Sequence, residues 1–314
     1  MDILKEKINI GINDVTKELL SGMGDFDGIF NGAYNIRQNS QCSGRMSTEN
    51  ISIENHPTEP GLVIRVKPGT KGERAYVPAC VTEAGISDIV TNEFYIGEDA
   101  DVVIIAGCGV HSEGGEALHS GLHKFVLEKG AKVEYIEKHI GTGGSDHKKI
   151  NTTTEFFIGE GAVMKVVSEQ IGGVDNAHRE TTAILEDKAV MIVNERLLTD
   201  NEDFVSTGFT VTLKGDDSKA DVISRSVARG NSKQSYVSRI EGLAKCTGHT
   251  ECDAILTENG SVDAAPCLTA SCPDASLIHE AAIGKIAGEQ LIKLCSLGLT
   301  REEAEKKIIE GFLK

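Results

Sequence analysis

The sequence predicts a mainly-β protein built as a β-solenoid, with helical segments at its N- and C-terminal ends. Three observations predict it. A short turn ending in alanine recurs along the middle of the chain: GEDA (97–100), EKGA (128–131), GEGA (159–162), EDKA (186–189) and DSKA (217–220), spaced by 31, 31, 27 and 31 residues. Segments rich in Val, Ile, Phe and Thr flank these turns, KFVLE, TEFFI, TTAIL and FTVTL before and DVVII, KVEYI, VMKVV, VMIVN and DVISR after. Their apolar positions often alternate, as on a pleated strand. No helical period intervenes. Hairpins stacked in a sandwich or barrel would also read as strand, tight turn and strand. The near-constant period and recurring turn chemistry favour one coil per unit, each stacked on the last. Thirty-four glycines against 6 prolines, and 4% aromatics with no Trp, suit many tight turns around small interior side chains.

The elements follow in order. Residues 1–80 read as a helical or mixed N-terminal region, with Ile3, Leu4, Ile8, Ile12, Val15, Leu19 and Leu20 at loosely helical intervals. Residues 81–283 form the β-solenoid core. Residues 284–314 read as two helices. The first carries Leu291, Ile292, Leu294 and Cys295 and stops near Gly298. Thr300 and Glu303 offer the second a capping box, and Ala304, Ile308 and Phe312 form its apolar stripe. This pattern suits a polar cap on the solenoid end and a docking surface for another protein equally.

Composition removes several function classes. Acidic residues outnumber basic ones 48 to 32, for a net charge of −16. A field of that sign repels phosphate backbones, so nucleic acid is not an expected partner. The N-terminus has early acidic residues and no apolar core of a signal peptide. The longest near-apolar run, Val102 to Val110, is too short to cross a bilayer. The expected location is cytoplasmic, with no membrane partner. Eight cysteines without a CxxC pair or tandem zinc spacing are expected to be free thiols, most of them small buried hydrophobes. There is no phosphate-loop signature, so the chain is not expected to bind ATP by itself. The Gly-rich stretches GCGVHSEGG (107–115) and GTGGSDHKK (141–149) read as solenoid returns.

Two clusters carry metal-ligand chemistry. HSEGGEALHSGLH holds His111, Glu113, Glu116, His119 and His123, donors suited to zinc or non-haem iron. Gly114 and Gly115 oppose a helix that would converge them, and a solvated loop is the expectation. The denser cluster is CTGHTECDAIL (246–256), followed by Cys267, Cys272, His279 and Glu280. Read as a strand, Thr250, Cys252, Ala254 and Leu256 share one face, and His249, Glu251, Asp253 and Ile255 the other. Cys252 would then look into an apolar interior. An inert core thiol and a thiolate or metal site both fit, and the spacing leaves open whether Cys246, His249, Cys267 or Cys272 takes part.

KCTGHTECDAIL (245–256) and SLIHEAAIGKIAGEQLIKLCSLGLTREEAEKKIIEGF (276–312) resemble the core and C-terminal segment of the SufB/SufD family of iron–sulfur cluster assembly proteins, closest to its short archaeal and anaerobe-type members. The resemblance implies a right-handed parallel β-helix flanked by helical regions. It implies a scaffold that builds a labile, transient Fe–S cluster near a seam between two β-helices, here a homodimer. The partners it implies are a SufC-like ABC ATPase docked on the C-terminal helices, a sulfur donor and apo Fe–S acceptor proteins. The family's essential cysteine matches Cys252, and its His-Glu pair matches His279 and Glu280. Many SufB members carry a further Glu just before that pair, where this chain has Ile278. The expected ligands are therefore Cys252, Glu280 and His279. On one straight strand residues 279 and 280 face opposite ways, and the expectation favours Glu280 as the direct ligand. The expected role is assembly without independent enzymatic turnover. A SufD-like structural subunit that holds no cluster is the alternative, as is a β-helix carbohydrate-active enzyme, for which the aromatic content is poor.

Overall fold

The computed structural model describes residues 11–23, 30–144 and 147–314. The expected helical positions Ile3, Leu4 and Ile8 lie outside these residues. The chain opens with α1 (Asp14–Gly22), followed by β1 (Ala33–Gln38), β2 (Gln41–Met46), β3 (Ile51–Asn55), β4 (Gly61–Val66), β5 (Lys71–Val81), β6 (Ser87–Ile96) and β7 (Asp101–Ser112). Next come β8 (Ala117–Leu127), β9 (Lys132–Gly143), β10 (Lys148–Ile158), β11 (Val163–Ile171), β12 (Asn176–Leu185) and β13 (Val190–Thr199). The last strands are β14 (Phe204–Leu213), β15 (Lys219–Ala228), β16 (Lys233–Gly242), β17 (Thr247–Leu256), β18 (Ser261–Ala270) and β19 (Ser276–Gly284). Two helices, α2 (Gly288–Ser296) and α3 (Arg301–Phe312), close the chain.

The strands form two facing sheets. One runs β19-β17-β15-β13-β11-β9-β7-β5-β1-β2, the other β18-β16-β14-β12-β10-β8-β6-β4-β3. From β4 onward even strands fill one sheet, odd strands the other, and each pairs in parallel with the strand one coil away. This is a parallel β-solenoid of about 8 turns. The coils begin at β4, inside the segment read as the N-terminal region. The antiparallel pairs β1–β2 and β3–β4 cover the first coil.

Backbone geometry explains the recurring turn. Its third residue takes a left-handed conformation at Asp99 (φ 54°), Gly130 (67°), Gly161 (64°) and Lys188 (57°), and in the fifth turn the left-handed residue is Asp217 (57°), the first of DSKA. Its last residue turns inward, where only a small side chain fits: Ala100, Ala131, Ala162 and Ala189 are fully buried. Each of these alanines donates its N–H to the carbonyl three residues back, at 3.0–3.2 Å. The fifth turn departs from the expected register. Val190 pairs with Lys219, so the residue in the alanine column is Ser218, and Ala220 lies two residues into β15. The Ser218 hydroxyl donates to the Gly215 carbonyl at 2.7 Å. Serine is as small as the column demands and supplies its own turn bond.

Inward side chains stack in ladders. Phe94, Phe125 and Phe156 occupy one register on β6, β8 and β10, with ring centroids 4.2 and 5.1 Å apart. Outside the coils, α1 presses Leu19 and Met23 onto Gly109 of β7, where a Cβ would lie 2.9 Å from the Met23 methyl. Asn13 caps α1 by accepting from the Thr16 N–H at 2.8 Å.

At the other end, Gly298 (φ 98°) separates α2 from α3. The capping box forms: Thr300 Oγ1 accepts from Glu303 N–H at 3.2 Å, and Glu303 Oε2 accepts from Thr300 N–H at 2.8 Å. Ala304 and Ile309, rather than Ile308, are the buried residues of α3. Helix α2 buries none of its residues, and Ile292 is 70% exposed. Among the described residues no helix is long and apolar enough to cross a membrane.

Candidate functional site

The last coils carry the expected ligand residues. On β17, Thr250, Cys252 and Ala254 are buried, while His249, Glu251 and Asp253 point outward. The expected alternation is observed. Cys252 pairs with Ser224 on β15 and with Ala281 on β19. β18 and β19 form the final coil, and among the described residues no strand stacks beyond them. The thiol thus lies one coil below an open end, beside Ala281. The register also separates the two neighbours: His279 pairs with inward Thr250, Glu280 with outward Glu251. His279 therefore shares the face of Cys252, and Glu280 occupies the opposite face. The Nδ1 atom of His279 is buried with no hydrogen-bond partner. Burial, followed by the Glu195 and Asp253 carboxylates, pushes the Cys252 thiol up to about 12. A metal or cation beside it would be needed to make it a thiolate at neutral pH.

The solenoid interior around this thiol is not purely apolar. Glu137, Ser168, Glu195, Ser224 and Cys252 occupy one register on five successive strands of one sheet. Adjacent strands lie about 4.8 Å apart, so these side chains form a continuous polar column. Ser224 Oγ donates to Glu195 Oε2 at 2.6 Å. From the facing sheet, Arg179 reaches Glu195 Oε1 at 2.8 Å, His139 Nδ1 at 2.9 Å and Glu137 Oε2 at 3.8 Å. Burial opposes ionisation of Glu137, yet His139 and Arg179 hold its carboxyl well below the usual range.

A second site lies at the other end of that interior. Cys108 on β7 is buried and pairs with His139 on β9. Burial alone would raise its thiol, but His119 and then His139 hold it down at about 6. Burial disfavours charge on His119, yet the Cys108 thiolate and Asp88 raise it to about 10. Asp88 Oδ2 lies 3.2 Å from His119 Nδ1, and Arg37 Nε donates to Asp88 Oδ1 at 2.8 Å. The arrangement is a buried thiolate–imidazolium pair oriented by a carboxylate, the layout of an activated nucleophile. A cleft of about 390 Å³ opens beside it, lined by Arg37, Cys42, Asn92, Cys108, His119 and His123 among others. Burial drives His123 down to about 4, so it stays neutral.

These residues correct two expectations. GCGVHS lies within β7 and only 113–116 turn, while His119 and His123 are inward on β8, not in a solvated loop. Gly114 and Gly115 oppose a helix, but the two histidines stand on a strand that begins after them. The signal was present in ALHSGLHKFVL, where His119 and His123 fall in phase with Phe125 and Leu127. The thiols also divide differently from expectation. Cys80, Cys108, Cys246 and Cys252 are buried, whereas Cys42, Cys267 and Cys295 are exposed and Cys272 is half-buried.

The fold and its cysteine sites define a solenoid that displays thiol, imidazole and carboxylate groups at both ends of a polar interior. The model of the SUF system FeS cluster assembly SufBD core domain matches residues 85–312. The chain is 31% identical over 256 residues to an iron–sulfur cluster assembly SufBD family protein of Archaeoglobus fulgidus, covering 81% of this chain and 68% of that one. It is 30% identical over 258 residues to a SufBD family protein of Methanothermobacter thermautotrophicus, covering 81% of this chain and 62% of the relative. A SufBD family protein of Methanocaldococcus jannaschii is 30% identical over 239 residues, with 74% of each chain covered. This chain belongs to the SufBD family of iron–sulfur cluster assembly proteins. It spans only part of the length of these relatives.

Proposed function

We propose that the protein is a scaffold on which a transient Fe–S cluster is assembled, working as a homodimer with a SufC-like ABC ATPase. It has no independent turnover, and it needs neither nucleic acid nor a membrane. The single observation that carries this reading is the open last coil. Among the described residues β18 and β19 each leave one edge unpaired, and Leu268 and Ile278 are exposed there at 36% and 50%. An unpaired, partly apolar sheet edge is normally covered. A second copy related by a two-fold axis would cover it and duplicate the ligand set. Cys252 and His279 would supply thiolate and imidazole from the inner face, and Glu280 a carboxylate from the outer one. Clusters held for good normally use four cysteines. A mixed set holds its product more loosely, as a scaffold requires.

Two further features fit. The exposed apolar face of α2 suits a docked ATPase, whose strokes would shear the seam. Cys108, the thiolate beside the cleft, suits sulfur uptake from a sulfur donor. Attack on the terminal sulfur of a donor persulfide releases the donor thiolate and leaves the persulfide on Cys108. Acceptor apo-proteins would take the finished cluster.

Anaerobic reconstitution with iron and sulfide tests the reading, followed by visible absorption and Mössbauer spectra. The wild type should gain cluster absorption, and Cys252→Ala should lose it. A Cys252→Ala protein that forms the cluster equally well would make the chain a SufD-like structural subunit instead. Co-purification with the ATPase should fail when residues 285–314 are removed.

A further inference from the structure

The outer face of the last coils carries a set of side chains of which the family resemblance accounts only for Glu280 and the interior thiol for none. His249 and Glu251 project outward from β17, and Glu280 projects from the adjoining β19. One ligand atom from each lies within 4.8 Å of the others. Two features make the trio unlike an ordinary solvated surface. Glu251 and Glu280 are direct cross-strand partners, and like charges in that position destabilise a sheet. His249 is also held in a ligand's orientation. Its Nδ1 lies 2.7 Å from Asp221 Oδ1 on β15, and its Nε2 is turned toward Glu280 Oε2, 3.9 Å away. A carboxylate bound to one ring nitrogen fixes the tautomer and leaves the other nitrogen's lone pair free for a metal.

The local charge balance demands a cation. Glu251, Glu280, Asp221 and Asp253 surround the site. The cation that faces it is Arg225, whose Nη2 lies 3.9 Å from Glu251 Oε1, too long for a hydrogen bond. We propose that His249, Glu251 and Glu280 form a binding site for a divalent first-row transition-metal ion on the outer face of the solenoid, with Asp221 as the residue that positions His249. One imidazole and two carboxylates suit Fe(II), Mn(II), Co(II) or Zn(II) better than Mg(II) or Ca(II), which prefer oxygen alone. Metal–ligand bonds of about 2.0–2.2 Å require the three donors to draw closer than they stand. The long, 67% exposed Glu280 side chain has the freedom to do this. The site faces away from Cys252 and shares only Glu280 with the scaffold reading.

Chelator-stripped full-length protein, titrated anaerobically with Co(II), tests the proposal through the ligand-field absorption of bound cobalt. The wild type should bind about one Co(II) per chain with a spectrum free of thiolate-to-cobalt charge transfer. Fe(II) or Zn(II) should displace it, and Mg(II) should not. His249→Ala and Glu251→Gln should each weaken binding at least tenfold. Asp221→Asn should weaken it by about 10–100-fold, the usual cost of losing such a supporting carboxylate. Cys252→Ser should bind as the wild type does. The substituted side chains lie on the outer face, and circular dichroism would verify the fold of each variant. Wild-type affinity retained by His249→Ala, or no stoichiometric binding at all, would overturn the site. So would a cobalt spectrum that Cys252→Ser abolishes, because the ion would then lie at the thiol. Cobalt binding intact in a Cys252→Ser protein that has lost cluster formation would support a metal site distinct from the thiol.

Discussion

Replacing His119 by Asn removes the imidazolium that holds Cys108 as a thiolate. The ordinary thiol value of 9.0 is lowered to about 6 here, against a burial effect that acts upward. Three pH units correspond to about 4 kcal/mol between the two protonation states. Cys80, buried on the neighbouring β5, shows the outcome without an imidazole partner: burial pushes it up. The assay is the ultraviolet absorbance of thiolate against pH, taken as the difference between wild type and Cys108→Ser. The wild-type difference should titrate near pH 6, and in the His119→Asn background, with His139 still present, the midpoint should rise toward 9. The sign follows from each group. Cys108 has a depressed value, so its stabilising contribution is present above the unfolded value of 9.0 and is lost as pH falls through 6. His119 has a raised value, so its contribution is present below 6.5 and is lost as pH rises through 10. The ion pair is intact between those limits. A wild-type midpoint near 9, or a His119→Asn midpoint still near 6, would refute this account.

Other outcomes are equally open to measurement. Arg179→Met leaves Glu195 buried without its cation and Glu137 with His139 alone and should cost about 3–5 kcal/mol in urea unfolding; a loss under 1 kcal/mol would mean that Glu195 is not ionised. Phe125→Ala opens the middle of the aromatic ladder and should cost about 3–5 kcal/mol by the same measurement. Thr300→Ala removes the cap of α3 and should lower stability by about 1 kcal/mol while leaving the solenoid's amide-exchange protection unchanged. Iodoacetamide at pH 7 should leave Cys252 unmodified in the apo-protein, because its raised value keeps it protonated there; rapid modification traced to Cys252 by mass spectrometry would contradict the assigned burial.

Much of the architecture could be read directly from residue order. A turn that needs a left-handed third residue and a small fourth one leaves Gly, Asp or Lys before Ala at each coil. The pattern breaks once, at Ser218, because the column requires only small volume, which serine meets as alanine does. The capping box of α3 was legible for a similar reason: both partners are local. The alternation around Cys252 gave its inward direction. It could not give the polar lining, since Glu195, Ser224 and Arg179 come from other coils.

Interactions within a few residues, and those repeated at one fixed period, were settled by the order of amino acids alone. These include the strands and turns of the repeat, coil stacking, the α3 cap and the family segment around Cys252, but not β1–β5, which lie where a helical or mixed region was expected. Folding alone decided which distant side chains share a face. The 31-residue offset between Cys108 and His139 is one coil, so adjacent strands place them side by side. The 28 residues from Asp221 to His249 are likewise one coil. The lateral register of a solenoid is a tertiary quantity, summed over turns of unequal length, and a shift of one residue would turn each of these groups to the opposite face.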